Sequence, residues 1–227
     1  MAERRERMLN AARLLLEERG YEAFAISELC DRYEMPRRTF YNAFGSKDQL
    51  ISDALTQFMA DVQGLRPSGP DPSTMEGRLW NVAFGLGISA LYRNYTETMM
   101  SLYYTRSSHH IRPTIFAAHA EPLRTFLNSY VQGHHLAQNV EINSFVEVLT
   151  STHYGLLADW CLGDDDPIVL IERDAASFLS LLQANVVGSA RQEAAAALGQ
   201  VRGGAPAWIR SRDDALDAAK RVADALN

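Results

Sequence analysis

Apolar residues recur at intervals of three and four along almost the whole chain, and that periodicity leaves little room for anything but helix. Residues 3–19 place Met8, Ala11, Ala12, Leu15 and Leu16 on one face. Residues 75–95 carry Trp80, Phe84, Ile88 and Tyr92 at steps of four. The pattern returns at 141–162 with Phe145, Val148, Leu149, Thr152, Leu156 and Trp160. It returns again at 168–188 with Ile171, Phe178, Leu181, Leu182 and Val186. Phe84, Leu86 and Ile88 alternate as a strand would, but helical residues on both sides outweigh them. There is no convincing strand pair and no internal repeat, so the expected fold class is all-α.

Glycine and proline divide the pattern. Gly20 stops the first helix, and a short second helix follows over 26–33. Pro36 suits the first turn of a third helix, about 37–43, because its missing N–H would have no partner there. Gly45 and Ser46 end that helix. Ser46 caps a fourth that runs to about Val62, with Asp48 in its first turn where the helix dipole favours an acid. The stretch GLRPSGPDPST at 64–74 holds three of the eight prolines and is the best linker. Gly85 and Gly87 each weaken the helix around them by about 1 kcal/mol and leave space for another helix to approach. Helices over 97–107 and 113–132 fit around Pro113 and Pro122. GDDDP at 163–167 reads as a turn and helix start, and 191–198 and 213–226 as two tail helices. The expected domains are 1–62, 75–190 and a C-terminal extension over 191–227.

At 227 residues the chain can bury a core without a disulfide or metal staple. Cys30 and Cys161 stand far apart with no pairing pattern, which suits a reducing compartment. No run approaches 18 apolar residues, and the charged N-terminus lacks a signal-peptide pattern. A cytoplasmic location with no membrane partner is expected.

The net charge is −6, which taken alone argues mildly against nucleic acid. The distribution says more than the total. Residues 1–55 hold nine basic against ten acidic side chains, and within them 35–47 carry Arg37, Arg38 and Lys47 with no acid. A local basic patch is what DNA requires of an otherwise acidic protein. Three short helices with a tight turn between the second and third make a helix-turn-helix, whose second member enters the major groove. In PRRTFYNAFGSKDQL, residues 36–50, Arg37, Arg38, Tyr41 and Asn42 share the outward side of that member while Phe40 and Phe44 face inward. Arginine suits bidentate contact to guanine and asparagine to adenine. Thr39, Tyr41 and Lys47 suit phosphate oxygens, and Lys47 opens a helix whose N–H groups also attract anions.

The run GYEAFAISELCDRYEMPRRTFYNAFGSKDQL resembles the DNA-binding helix-turn-helix of TetR-family transcriptional regulators. The matching positions are Gly20, Tyr21, Leu29, Thr39, Phe40, Tyr41, Phe44, Ser46, Lys47, Asp48 and Leu50, in one register without a gap. The resemblance covers about residues 3–62. Three departures stand out. Phe24-Ala25 replace the Thr or Ser that often opens the second helix. Glu34 replaces a Gly or Ala and adds negative charge beside the turn that faces DNA. Pro36 replaces a Ser or Thr and removes a phosphate donor. Arg37-Arg38 offset these losses.

The resemblance further implies a homodimer built on the last two long core helices, here 141–162 and 168–188. Phe145, Leu149, Leu156, Ile171, Phe178 and Leu182 are then the interface residues. It also implies an effector cavity in the C-terminal domain. The candidate lining is Trp80, Phe84, Tyr103, Tyr104, Phe116, His119, His153 and Trp160, which suits a hydrophobic ligand with few hydrogen-bonding groups. Arg93, Arg106, Arg112 and Arg124 are too scattered to make a cationic cluster for a charged one.

His109-His110 and His134-His135 cannot chelate as doublets on a helix, and zinc spacings are absent, so no metal and no cofactor is expected. Neither Gly-x-Ser-x-Gly, a phosphate loop nor His-Glu-x-x-His occurs, so an enzyme is not expected. The expectation is a ligand-responsive repressor that binds double-stranded operator DNA as a homodimer. The alternative is a helical ligand-binding or interaction dimer without sequence-specific DNA binding.

Overall fold

The computed structural model describes residues 2–105 and 111–226, and the side chains from residue 5 onward. Eleven helices run through these residues. They are α1 (Ala2–Ala23), α2 (Ile26–Arg32), α3 (Arg37–Phe44), α4 (Lys47–Leu65), α5 (Met75–Leu91), α6 (Arg93–Tyr104), α7 (Arg112–Gln132), α8 (Ile142–Leu162), α9 (Pro167–Asn185), α10 (Gly188–Arg202) and α11 (Pro206–Leu226). The all-α expectation holds. The one β-type pairing among the described residues is an isolated bridge between Leu136 and Val186. No described helix is long and apolar enough to cross a membrane. Residues 106–110, with Arg106 and the His109-His110 pair considered above, lie outside the described residues.

Two compact units form. The first comprises the described residues of Met1–Leu65 and Tyr92–Ile115, with Leu226. The second comprises Arg66–Leu91 and Phe116–Ala225. The first unit therefore takes in α6, which follows the linker in the chain. Its core is the α1 stripe read from the sequence: Ala12, Leu15 and Leu16 are fully buried, along with Leu29, Phe40, Leu50 and Ile51. α1 packs on α4 and α6, and Phe58 of α4 lies against the rings of Tyr92 and Tyr95, 4.8 and 4.6 Å between centroids. Gly20 breaks the helical path of α1 at φ 68°, ψ 175°, a conformation that glycine alone adopts without strain.

In the second unit α9 packs on α5, α8 and α10. Ile171, Leu179 and Leu182 of α9 join Leu123, Phe126 and Leu127 of α7 in its core. Asp166 caps α9, its carboxylate accepting from the Ile168 N–H at 2.8 Å, with Pro167 in the first turn. Glu141 caps α8 in the same way, accepting from the N–H groups of Asn143 and Ser144 at 2.9 and 2.7 Å. Those two backbone bonds hold its carboxyl below the usual range. Of the two glycines in α5, Gly87 receives a neighbour: Leu216 and Ala219 of α11 stand where its Cβ would be, at 2.9 and 3.1 Å. Gly85 faces open space.

Several boundaries differ from the sequence reading. The single helix expected over 75–95 is broken at Tyr92 (φ −116°, ψ 56°), where α6 begins. The tail helices α10 and α11 are longer than the stretches 191–198 and 213–226.

Candidate nucleic-acid interface

The turn between α2 and α3 is closed by two backbone bonds. Met35 N–H donates to the Cys30 carbonyl at 2.8 Å, and Glu34 N–H to that of Asp31 at 3.4 Å. Together they make a Schellman termination, in which the residue after the cap adopts a left-handed conformation. That residue is Glu34, at φ +48°. Met35 and Cys30 are both buried beneath the turn, the hydrophobic contact that accompanies this motif. The missing cap expected at α2 is also seen: Ala25 supplies no side-chain acceptor.

Pro36 then starts α3, and Phe40 and Phe44 anchor it from beneath, their rings 5.8 Å apart. With those two residues inward, Arg37, Arg38, Tyr41 and Asn42 are exposed side by side, and Thr39 is half-buried. Tyr41 is 53% exposed although its ring edge meets Phe40 at 5.0 Å. Arg37 and Arg38 have no ion-pair partner among the described residues. Arg19 and Arg32, on the neighbouring helices, are tied to Glu28 and Glu18. The two α3 arginines are thus cations with free guanidinium groups on the helix that a groove would receive.

Lys47 differs. Its ammonium donates to the Tyr21 carbonyl at 2.9 Å and lies over the rings of Tyr21 and Phe24, 4.4 and 5.6 Å from their centroids. Tyr21 in turn donates its hydroxyl to Asp48 at 3.0 Å. Burial and that carboxylate push the phenol's pKa up. Lys47 therefore ties the end of α1 to the start of α4, with two ammonium protons left for another acceptor. Ser46 caps α4 as expected, accepting from the Gln49 N–H at 3.0 Å.

The eight aromatic and histidine candidates for a cavity fall in both units. Tyr103 and Tyr104 belong to the first unit, with Tyr103 buried and Tyr104 57% exposed. Trp80 stacks on Phe84, 5.4 Å between centroids, and its indole donates to Asp214 at 2.8 Å. Trp160 donates to the Asp165 carbonyl at 2.8 Å and so closes the α8–α9 turn. Phe116 is half-buried. Tyr103 and Tyr104 meet edge to face at 5.0 Å, and His119 and His153 stack at 3.8 Å.

Those two histidines belong to a polar cluster that the sequence reading did not assemble. Arg78, 4% exposed, donates through Nη2 to His119 Nε2 at 3.0 Å and lies over the Phe178 ring at 5.1 Å. A guanidinium only donates, so His119 carries its proton on Nδ1. His153 Nδ1 donates to buried Asp174 at 2.6 Å. Burial lowers the Arg78 pKa to about 10, which leaves it cationic at neutral pH. Burial, followed by His153 and Arg78, drives the His119 pKa well down. The sequence does carry a signal: Arg78 and Asp174 occupy inward positions of α5 and α9, between Met75 and Val82 and between Ile171 and Phe178. A charge in a core register needs a partner.

The α8 and α9 stripes behave as core. Phe145, Leu149, Ile171, Phe178 and Leu182 are at least 95% buried within their own chain, and Leu156 is half-buried. The strong apolar periodicity reports what faces the interior. The apolar side chains these helices leave exposed are Val148, Leu162, Ile168 and Val169.

Among the described residues no three His, Cys, Asp or Glu side chains converge as a metal set. Residues 8–54 match the family model described as bacterial regulatory proteins, tetR family. No curated protein matches the chain. Several crystal structures do. One from Rhodococcus sp., assigned to the TetR family, has a TM-score of 0.61 at 14% identity, over 79% of this chain and 98% of that one. Full-length native TylP, a TetR regulator from Streptomyces fradiae, has 0.57 at 18%, over 94% and 90%. A TetR transcriptional regulator from Agrobacterium tumefaciens has 0.55 at 16%, over 84% and 98%. At such identities the likeness is one of fold.

Proposed function

We propose that this chain, with a TetR-family N-terminal domain and the fold of TetR-family regulators, is a sequence-specific DNA-binding transcriptional regulator. The observation that carries the reading is the face of α3. Arg37, Arg38, Tyr41 and Asn42 stand exposed on the second helix of a helix-turn-helix, and neither arginine is spent on a carboxylate. Direct readout by these side chains, with phosphate contacts from Thr39 and the remaining donors of Lys47, fits a major groove about 12 Å wide.

Two such heads in a homodimer would read half-sites about 34–36 Å apart or a multiple of it. The exposed apolar residues of α8 and α9, Val148, Leu162, Ile168 and Val169, supply a face for that pairing. In this reading the protein acts as a repressor in the cytoplasm. A hydrophobic small molecule in the second unit lowers its DNA affinity by favouring the arrangement of heads that does not fit the operator.

The test is selection of bound duplexes from a random pool at near-physiological salt, with the Arg37→Ala/Arg38→Ala variant run in parallel. Enrichment of a palindromic site by the parent alone supports the reading. Equal enrichment by both, or none by either, overturns it in favour of a ligand-binding dimer without sequence-specific DNA binding.

A further inference from the structure

Most of the basic side chains described in residues 1–55 are committed within the protein. Arg5 pairs with Asp53 at 2.5 Å, Arg19 with Glu28, and Arg32 with Glu18 and Glu28. Arg13 donates to the Leu226 carbonyl at 2.8 Å, and Lys47 to that of Tyr21. Among the described residues, Arg7, Arg37 and Arg38 make neither an ion pair nor a hydrogen bond, and all three are exposed. Arg7 belongs to α1, far from the other two in sequence.

The fold brings it to them. A cleft of about 270 Å³ beside the turn between α2 and α3 is lined by Arg7 and Met8 of α1 and by Tyr33, Glu34 and Met35 of the turn. Met35 and Arg37 are two peptide bonds apart, so their Cα atoms lie within about 7.6 Å. The three uncommitted arginines thus gather at one end of α3, its N-terminus. Met8 and Met35 are buried and floor the cleft. Tyr33 is 41% exposed, and its hydroxyl has no partner among the described residues. Glu34 is the acid in the lining; it is exposed and forms no ion pair with Arg7.

In helix-turn-helix docking, the N-terminal residues of the second helix reach base edges while the first helix crosses the sugar–phosphate backbone. The turn that joins them then lies against that backbone. We infer that the cleft between Arg7 and Tyr33 seats a backbone phosphate of the duplex that α3 enters, with Arg7 and Tyr33 as donors and Glu34 turning away free anions. This rests on the DNA-binding reading above and adds to it a contact from α1. A guanidinium takes two phosphate oxygens at once, and the sugar has the methionine floor and the Tyr33 ring to lie on. Glu34 weakens the seat for an anion in solution. A phosphodiester already held by α3 arrives at high effective concentration and overcomes that repulsion. Such a contact fixes the position of the duplex and carries no sequence information.

The test measures the affinity of the full-length protein by fluorescence anisotropy, for a duplex that the parent selects and for an unrelated duplex, across a series of salt concentrations. Arg7→Gln is expected to weaken both equally, by about fivefold at about 0.15 M salt, and to make the slope of log K against log salt shallower by about 0.9. Arg7→Lys is expected to restore the slope. Tyr33→Phe is expected to weaken both duplexes severalfold with the slope unchanged, because it removes a neutral donor. Arg38→Ala, run beside them, is expected to cut the preference for the selected duplex instead. The Arg7→Gln melting curve is expected to overlay the parent's, since Arg7 has no partner to lose. Excess inorganic phosphate at matched ionic strength is expected to leave the Arg7 side-chain N–H resonance unmoved. Unchanged affinity and slope in Arg7→Gln, or a loss confined to the selected duplex, overturns the proposal and leaves the α3 reading intact. A shift with inorganic phosphate makes the cleft a free-anion site and overturns it too. A parent that binds neither duplex removes the DNA-binding reading and the phosphate seat together.

Discussion

The imidazoles of His119 and His153 lie nearly parallel, 3.8 Å between centroids and 17° apart. Burial first, then the neighbouring His153 and the Arg78 guanidinium bonded to its Nε2, disfavours a proton on His119. His119 is therefore neutral in the folded protein, its pKa held well below the ordinary value of 6.5. In the unfolded chain it titrates near about 6.5. Between the folded value and 6.5 the unfolded state binds the extra proton, so stability rises with pH through that window and is flat above it. The urea midpoint should be constant from pH 8 to 7 and fall as pH drops from 6.5. This group contributes at most about 1.4 kcal/mol per pH unit. His119→Gln, which keeps an acceptor for Arg78, should flatten the acid limb; an unchanged limb would locate the titration elsewhere.

Arg78 and Asp174 are the two buried charges of the same cluster, and each is exposed by less than 5%. Removing either leaves the other without a counter-charge, at a cost of about 3–5 kcal/mol. Arg78→Met and Asp174→Asn should each lower the denaturation midpoint strongly. The double variant should cost less than the sum by about 1 kcal/mol or more. Additive losses in a double-mutant cycle would show that the two charges do not interact.

Glu34 sits in a left-handed conformation in the turn before α3, and it carries a negative charge beside the helix of Arg37 and Arg38. Glu34→Gly should relieve the backbone and stabilise the domain by up to about 1 kcal/mol, less what glycine's freedom in the unfolded chain takes back. Glu34→Gln removes the charge but keeps the strain. Both should tighten DNA binding at low salt, and the gain should fade as salt screens it. Only the glycine should raise the melting temperature. A glycine variant that melts earlier than the parent would contradict the strain.

Arg38 and Lys47 separate the proposed reading role from bracing. Arg38→Ala should weaken operator binding by about 1–3 kcal/mol and leave stability within about 0.5 kcal/mol. Lys47→Met loses the Tyr21 carbonyl bond, so it should lower stability by about 1–2 kcal/mol as well as weaken binding. Fluorescence anisotropy on a labelled duplex, beside thermal melts of the same samples, distinguishes them. Equal melting of the two variants would remove the bracing role.

Much of this architecture was legible because helix periodicity and end signals are local. Gly20, Pro36, Ser46 and Pro167 all punctuate helices where they were read to do so. The break at Tyr92 carries no such mark, since Leu91-Tyr92-Arg93 holds neither glycine nor proline. It is set by tertiary packing, with Phe58 against the Tyr92 and Tyr95 rings. Alanine-rich α10 was read short because small side chains make a faint stripe, although Ala190, Ala194 and Ala197 are all buried. The α3 face followed from register alone, whereas the Arg78 cluster needed four helices to meet. The stripes of α8 and α9 were assigned to a partner by the resemblance, since apolar periodicity marks burial without saying whose interior is filled.

The first unit draws α6 from beyond the linker, and this bears on how the protein is made. Synthesis runs from the N-terminus at about 5–20 residues per second. Helices α1 to α4 therefore emerge several seconds before α6, which completes their packing. For that interval Phe58 lacks Tyr92 and Tyr95, and part of the α1 face has no cover. A nascent chain stalled near residue 65 thus offers a chaperone an apolar surface, and a gene fragment ending there encodes an incomplete domain. A fragment meant to keep the first unit's packing must carry the polypeptide through to the end of α6.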